Sequence, residues 1–262
     1  MSAPITYTSY LKIEELLQLQ QLESQPAEHD EMLFIIIHQV YELWFKQILH
    51  EIDYLIALLD ANDTSRALHT MRRVLTILKT AVGQIDILET MTPIEFLSFR
   101  DFLQSASGFQ SAQFRELEFV LGHKRLNVLE HHPIGTPGRA RLDERYRART
   151  LWDAVLGYLA QNGYDVPAAL LTRDVTGPIE PSTAVQDLLV EVYAREDMLS
   201  RACERLVDFD EGLQEWRYRH VMMVQRTIGL KKGTGGSSGA EYLRSTLFKP
   251  FFPDLWAIRS RL

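Results

Sequence analysis

The amino-acid sequence predicts an all-α protein, and three observations predict it. Apolar residues recur at intervals of three and four along most of the chain. No run alternates polar and apolar residues between hairpin turns. Helix-start signals are explicit, as in Thr92-Pro93-Ile94-Glu95, which combines an N-cap threonine, proline at the first helical position and glutamate three residues after the cap.

In chain order, the spacing predicts helices over residues 9–20, 30–59 and 64–88. The stretch 32–59 is the most apolar. It is interrupted by His38, Glu42, Lys46, Glu51 and Asp53, so it lacks the uncharged run of about 18 residues that a membrane span requires and reads as a core helix. The helix opened by Thr92 is expected to run to Gln104, break at Ser105-Ala106-Ser107-Gly108 and resume over 109–121. The break is a candidate functional feature. Between residues 122 and 182 prolines and glycines multiply, with one short helix expected over 151–161. Apolar residues such as Trp152, Leu156, Val166 and Leu170 continue through this region, so the expectation is one domain over 1–262 rather than two joined by a linker. Helices over 183–206 and 209–230, a glycine-rich stretch over 231–239 and a closing helix complete the chain. No internal repeat is visible.

Composition narrows the partners. Lys and Arg number 28 against 35 Asp and Glu, and the net charge of -7 gives no electrostatic reason to expect nucleic acid. A small molecule is the better expectation. The one cysteine, Cys203, excludes an internal disulfide framework and leaves too few thiols for a thiolate zinc or iron-sulfur centre. The first residues lack a basic start followed by an apolar run. A cytoplasmic protein with no membrane partner is expected.

Three side chains stand out for chemistry. His220 shares its helix face with Leu213, Trp216, Met223, Val224 and Thr227, all within roughly 60° at 100° per residue. A neutral imidazole there could bind iron or zinc, but spacing alone favours a hydrogen-bonded core histidine, since neither a second histidine at i+4 nor an HExxH pattern supports zinc. His38 lies at the edge of a polar stripe, with Phe34, Tyr41 and Phe45 on its other side, a wall suited to an aromatic ligand. Membership of the polar stripe is the alternative. Arg100 has Phe96, Leu97, Leu103 and Gln104 as its helical neighbours and no carboxylate, so its planar fork is open either to a carboxylate ligand or to a distant acidic residue. The segment beginning at Gly233 has permissive backbone and hydroxyls but no phosphate-loop pattern, and reads as a lid or a helix connector. His123, His131 and His132 fall in polar or irregular sequence and are expected to be solvated.

Four motifs agree in order and spacing with one family: His29 to Gln39 around His38, Phe99-Arg100-Asp101 with Ser107-Gly108-Phe109-Gln110-Ser111, Trp216-Arg217-Tyr218-Arg219-His220, and the glycine-rich segment from Gly233. The set resembles the tryptophan 2,3-dioxygenases over nearly the whole chain, from Tyr7 to about Trp256. The resemblance implies an all-helical enzyme with one heme b per subunit, ferrous when active, that adds both atoms of molecular oxygen across the indole C2–C3 bond of L-tryptophan to give N-formylkynurenine. It implies a homotetramer, His220 as the proximal iron ligand, and His38 as the distal group accepting a hydrogen bond from the indole nitrogen. Arg100 would bind the substrate carboxylate and Thr234 its ammonium and carboxylate. Phe34, Phe96, Leu103, Ser107 and Gly108 would line the substrate pocket, with Ser107 and Gly108 also against the heme. Tyr7, Tyr10 and Leu11 would reach in from a neighbouring subunit. Some members carry tyrosine where this chain has Phe96 and Phe114, so two hydroxyls are missing here. A related heme monooxygenase acting on a tryptophan-like indole is the alternative reading.

Overall fold

Three long helices form the frame: α3 (His29–Asp60), α4 (Thr64–Leu88) and α11 (Met198–Ile228). In this computed structural model, which describes residues 4–234 and 240–262, α4 packs along both α3 and α11. The apolar stripes predict that arrangement. Ile48, Ile52, Leu55 and Leu59 of α3, Val74, Leu78 and Ile85 of α4, and Leu206 and Leu213 of α11 are buried in one core. Gly212 lets α11 approach α4 closely, since a Cβ there would lie 2.8 Å from Leu78 Cδ2.

The remaining helices are α1 (Tyr7–Leu11), α2 (Ile13–Leu16), α5 (Pro93–Phe99), α6 (Ala112–Val120), α7 (Pro137–Arg147), α8 (Leu151–Gln161), α9 (Ala168–Leu171), α10 (Thr183–Ala194), α12 (Ala240–Arg244) and α13 (Pro253–Ala257). No strand occurs among the described residues, as the periodicity predicts. The helices expected over 64–88 and 151–161 appear with those bounds, and the Thr92-Glu95 capping box forms as read. No described helix is long and apolar enough to cross a membrane.

Several boundaries differ from the expectation, each for a local reason. The helix expected over 9–20 is two short helices, because Lys12 turns into the left-handed region at φ 55°. The helix from Thr92 stops at Phe99 and tightens into a 3₁₀ turn over Arg100–Leu103, ended by Gln104 at φ 49°. The stretch expected over 109–121 starts as a 3₁₀ turn over Gly108–Gln110, and α6 proper begins at Ala112, capped by Ser111. The expected break near residue 207 lies instead at Arg195 to Asp197. Glu196 adopts φ 50°, and Asp197 accepts from the amides of Leu199 and Ser200 to cap α11, which then runs unbroken past Leu206. The closing helix is a pair of short ones, α12 and α13.

The irregular region holds more order than expected. Thr136 and Pro137 open α7 by the same cap-and-proline signal as Thr92 and Pro93. Buried Lys124 completes its far end, donating from Nζ to the carbonyl oxygens of Arg145 at 2.6 Å, Tyr146 at 2.9 Å and Ala148 at 2.7 Å. Burial lowers this ammonium to about 8. At the other end of the chain, Oδ2 of buried Asp210 accepts from the amides of Phe251 at 2.9 Å and Phe252 at 3.2 Å and from Trp256 Nε1 at 3.0 Å. This carboxylate fastens the C-terminal segment to α11.

Candidate active site

A cavity of about 270 Å³ opens where α3, α5, α6, α11 and α12 converge. Its aromatic walls follow from helix spacing. On one side Phe34 of α3 packs on Phe96 and Phe99 of α5, with ring centroids 5.8 and 5.5 Å away. Deeper, Phe45, Phe114 and Trp216 form a second cluster, with Phe114 and Trp216 centroids 5.1 Å apart.

His38 and His220 both line this cavity, one from α3 and one from α11. Nδ1 of His38 lies 2.6 Å from the carbonyl oxygen of Phe34, one turn back along α3. A carbonyl can only accept, so Nδ1 carries the hydrogen and Nε2 keeps its lone pair. Burial lowers the imidazole below its ordinary value, partly opposed by the Phe34 carbonyl and by Glu42, so the neutral form is favoured. His220 has no hydrogen-bond partner among the described residues. Its ring stacks on Trp216 at 5.1 Å and 18°, four residues earlier. Desolvation, with lesser effects from His38 and Arg115, pushes it down to about 4. The site therefore presents two neutral imidazoles, each with an available lone pair.

Arg100 lies at the start of the 3₁₀ turn, where its Nη2 donates to the carbonyl oxygen of Lys232 at 2.5 Å; no carboxylate pairs with it among the described residues. Thr234 Oγ1 donates to the Ala106 carbonyl at 2.5 Å. These two bonds hold residues 232–234 against the 100–106 turn at the cavity. Residues 235–239, the rest of the segment read as a lid, lie outside the described residues. Ser107 and Gly108 line the cavity; Ser107 caps the following turn through the amide of Phe109 at 3.3 Å, and a Cβ added at Gly108 would meet no atom within 4 Å.

Of the residues singled out from sequence, Phe34, His38, Phe96, Arg100, Ser107, Gly108, His220 and Thr234 are thus brought to one cavity. Leu103 is not among its lining residues and packs on the main core instead. Tyr7, Tyr10 and Leu11 are exposed on α1 and do not line the cavity of their own chain. Two histidines expected to be solvated are not. His132 is buried, and His123 stacks on Phe251 at 4.1 Å, with burial and Arg217 lowering it to about 4; His131 is exposed as expected.

Sequence reasoning missed Arg115, Glu118 and Arg217, all buried and all lining the cavity. Charged residues three apart on a short helix ordinarily read as a solvated face. Only the presence of a third charge from α11 reveals a buried network.

Comparison with known proteins bears on the whole site. The family model described as tryptophan 2,3-dioxygenase matches residues 1–136 and 179–262. A tryptophan 2,3-dioxygenase of Herpetosiphon aurantiacus is 62% identical over 262 residues, the full length of both chains. One from Anaeromyxobacter sp. (strain K) is 54% identical over all of this chain and 97% of its own, and one from Caulobacter vibrioides is 42% identical over the full length of both.

Proposed function

Since this chain belongs to the tryptophan 2,3-dioxygenase family, we propose that it inserts both atoms of dioxygen across the C2–C3 bond of L-tryptophan, giving N-formylkynurenine, in the cavity lined by His38 and His220. One observation carries the residue assignment. Two neutral imidazoles, an arginine without a carboxylate partner among the described residues and aromatic walls line the same pocket.

The residues present fit a heme b. His220 lines the cavity, has no hydrogen-bond partner among the described residues and is kept neutral by burial, so it would be the residue to hold the iron. Gly108 borders open space on the cavity wall, and Phe45, Phe114 and Trp216 supply apolar surface. When bound in the ferrous state, the heme supplies the site at which dioxygen is activated.

The chain's own residues do the positioning. Arg100 grips the substrate carboxylate through a planar pair of N–H donors, and the Thr234 hydroxyl meets the ammonium and carboxylate end. Nε2 of His38, held as an acceptor by the Phe34 carbonyl, receives the hydrogen bond of the indole N–H. With both ends of the amino acid held, the C2–C3 edge is oriented rather than left to random encounter. Phe34 and Phe96, packed on each other, present one apolar wall to the indole region and exclude water.

The wider reading takes the 262 residues as one domain, supported by a core that draws on residues from Ile37 to Ile258. It takes the protein as a cytoplasmic homotetramer in which exposed Tyr7, Tyr10 and Leu11 reach a neighbouring site. The deciding experiment supplies ferrous, heme-loaded protein with tryptophan and isotopically labelled dioxygen. N-formylkynurenine carrying both labelled atoms is expected. Absence of product from fully loaded protein rejects the reading, and a ring-intact product gaining one atom favours the monooxygenase.

A further inference from the structure

α3 carries a second polar side chain to the cavity. Glu42 follows His38 by four residues, so the two lie one above the other on the same face of α3, and both line the cavity. The side chain is held there from α6, where Gln113 Nε2 donates to Glu42 Oε2 at 2.8 Å and to the Glu42 carbonyl oxygen at 2.8 Å. The backbone bond fixes Gln113 against α3, and the side-chain bond then sets where the carboxylate sits. No lysine or arginine pairs with Glu42 among the described residues; Lys46, one turn further along α3, is exposed.

A carboxylate on an aromatic-walled cavity, with no cation to neutralise it, exerts its field on whatever lies near. Here that is His38. Burial lowers the His38 imidazole, and Glu42 is the charged side chain that opposes the effect. The other titratable groups at the cavity are engaged elsewhere. Arg115 and Glu118 of α6 and Arg217 of α11 bond one another, Arg100 donates to the Lys232 carbonyl, and Tyr242 Oη of α12 accepts from Arg125. Tyr41 of α3 donates to the Ala81 carbonyl and is pushed up to about 12, and His220 is neutral. His38 thus stays neutral through burial, while a negative charge one turn away makes Nε2 a stronger acceptor than burial alone would leave it. The indole N–H becomes more acidic as electron density leaves the ring during oxidation, so a stronger acceptor counts for more in the transition state than in the ground state.

We propose that Glu42, held by Gln113, acts through His38 as a positioning residue for the reaction, its charge strengthening the hydrogen bond that His38 Nε2 accepts from the indole N–H. The proposal rests on the tryptophan dioxygenase reading above. The Glu42–Gln113 pair is then more than a tie between α3 and α6. A tie needs only an acceptor oxygen, which an amide supplies as well, whereas the effect on His38 needs the charge.

The test removes the charge and keeps the tie. Glu42→Gln retains the oxygen that Gln113 binds, and Glu42→Asp retains the charge. In heme-free full-length protein carrying isotopically labelled histidine, the His38 signal is identified by its absence from His38→Ala, and its titration midpoint is followed by NMR as pH is lowered. A nearby carboxylate favours the imidazolium, so its removal should lower the midpoint, by about half a pH unit or more in Glu42→Gln and by less than about half that shift in Glu42→Asp. An unchanged midpoint in Glu42→Gln, or an equal fall in Glu42→Asp, overturns the proposal. In the heme-loaded enzyme Glu42→Gln should lower kcat about threefold and leave KM for tryptophan within about twofold of wild type, whereas in a His38→Ala background the same substitution should cost less than about 1.5-fold. An equal cost in both backgrounds overturns it too. Failure of the dioxygenase reading looks different: loaded wild-type protein gives no turnover whatever the His38 midpoint does, and the proposal falls with it.

Discussion

Nδ1 of His38 is bound to the carbonyl oxygen of Phe34 at 2.6 Å, and this single contact decides which nitrogen faces the cavity as an acceptor. Replacing His38 by alanine removes the acceptor and leaves Phe34 and the α11 wall in place. We expect heme uptake to be unchanged and kcat/KM to fall about 5–10-fold, the size of one hydrogen bond. A loss of about a hundredfold or more would assign His38 a proton-transfer role instead.

His220→Ala should prevent heme from staying with the protein through gel filtration, because among the described residues the ring is the one imidazole that α11 brings to the cavity. The circular dichroism of the heme-free variant should match that of the heme-free wild type. Retention of a normal Soret band and activity would remove His220 from the ligand role.

Arg100→Leu should raise KM for tryptophan about 10–100-fold, the loss of charge-assisted hydrogen bonds worth about 1.5–3 kcal/mol, with the heme spectrum unaltered. Decarboxylated tryptophan separates binding from indirect effects. It should be used equally poorly by the wild type and the variant, whereas a variant that still discriminates between the two substrates would show that the carboxylate is bound elsewhere.

Acid should destabilise the heme-free protein. His220 and His123 are both lowered to about 4 in the fold, against an ordinary value near 6.5, so between those limits the unfolded chain binds more protons than the folded one. Their contribution is fully present above about pH 6.5 and is lost as pH falls toward 4. Urea midpoints measured over that range should decline, and His220→Phe should flatten part of the slope; a slope identical to the wild type would show that His220 is not protonated on unfolding.

Asp210→Ala leaves the amides of Phe251 and Phe252 and the indole N–H of Trp256 without their acceptor. At about 1–3 kcal/mol for each buried unpaired donor, the loss should reach about 3 kcal/mol or more by urea denaturation. Asp210→Asn, which keeps an oxygen in place, should lose less.

Periodicity and cap chemistry by themselves determined the helical class, the long spans of α3 and α4, and the start of α5, because these depend on neighbours within one or two turns. The same sequence also held His38, Arg100 and His220 in recognisable motifs. What it could not convey was set by contacts distant in the chain. The break at Glu196 depends on a left-handed residue that propensity does not demand, and the burial of Arg115 and Glu118 becomes evident only when Arg217, 99 residues after Glu118, arrives from α11. Whether an imidazole is solvated and basic or buried and neutral was likewise decided by tertiary structure. Desolvation arises when helices converge, and it is the convergence of α3, α5, α6 and α11 that keeps His38 and His220 uncharged in one cavity.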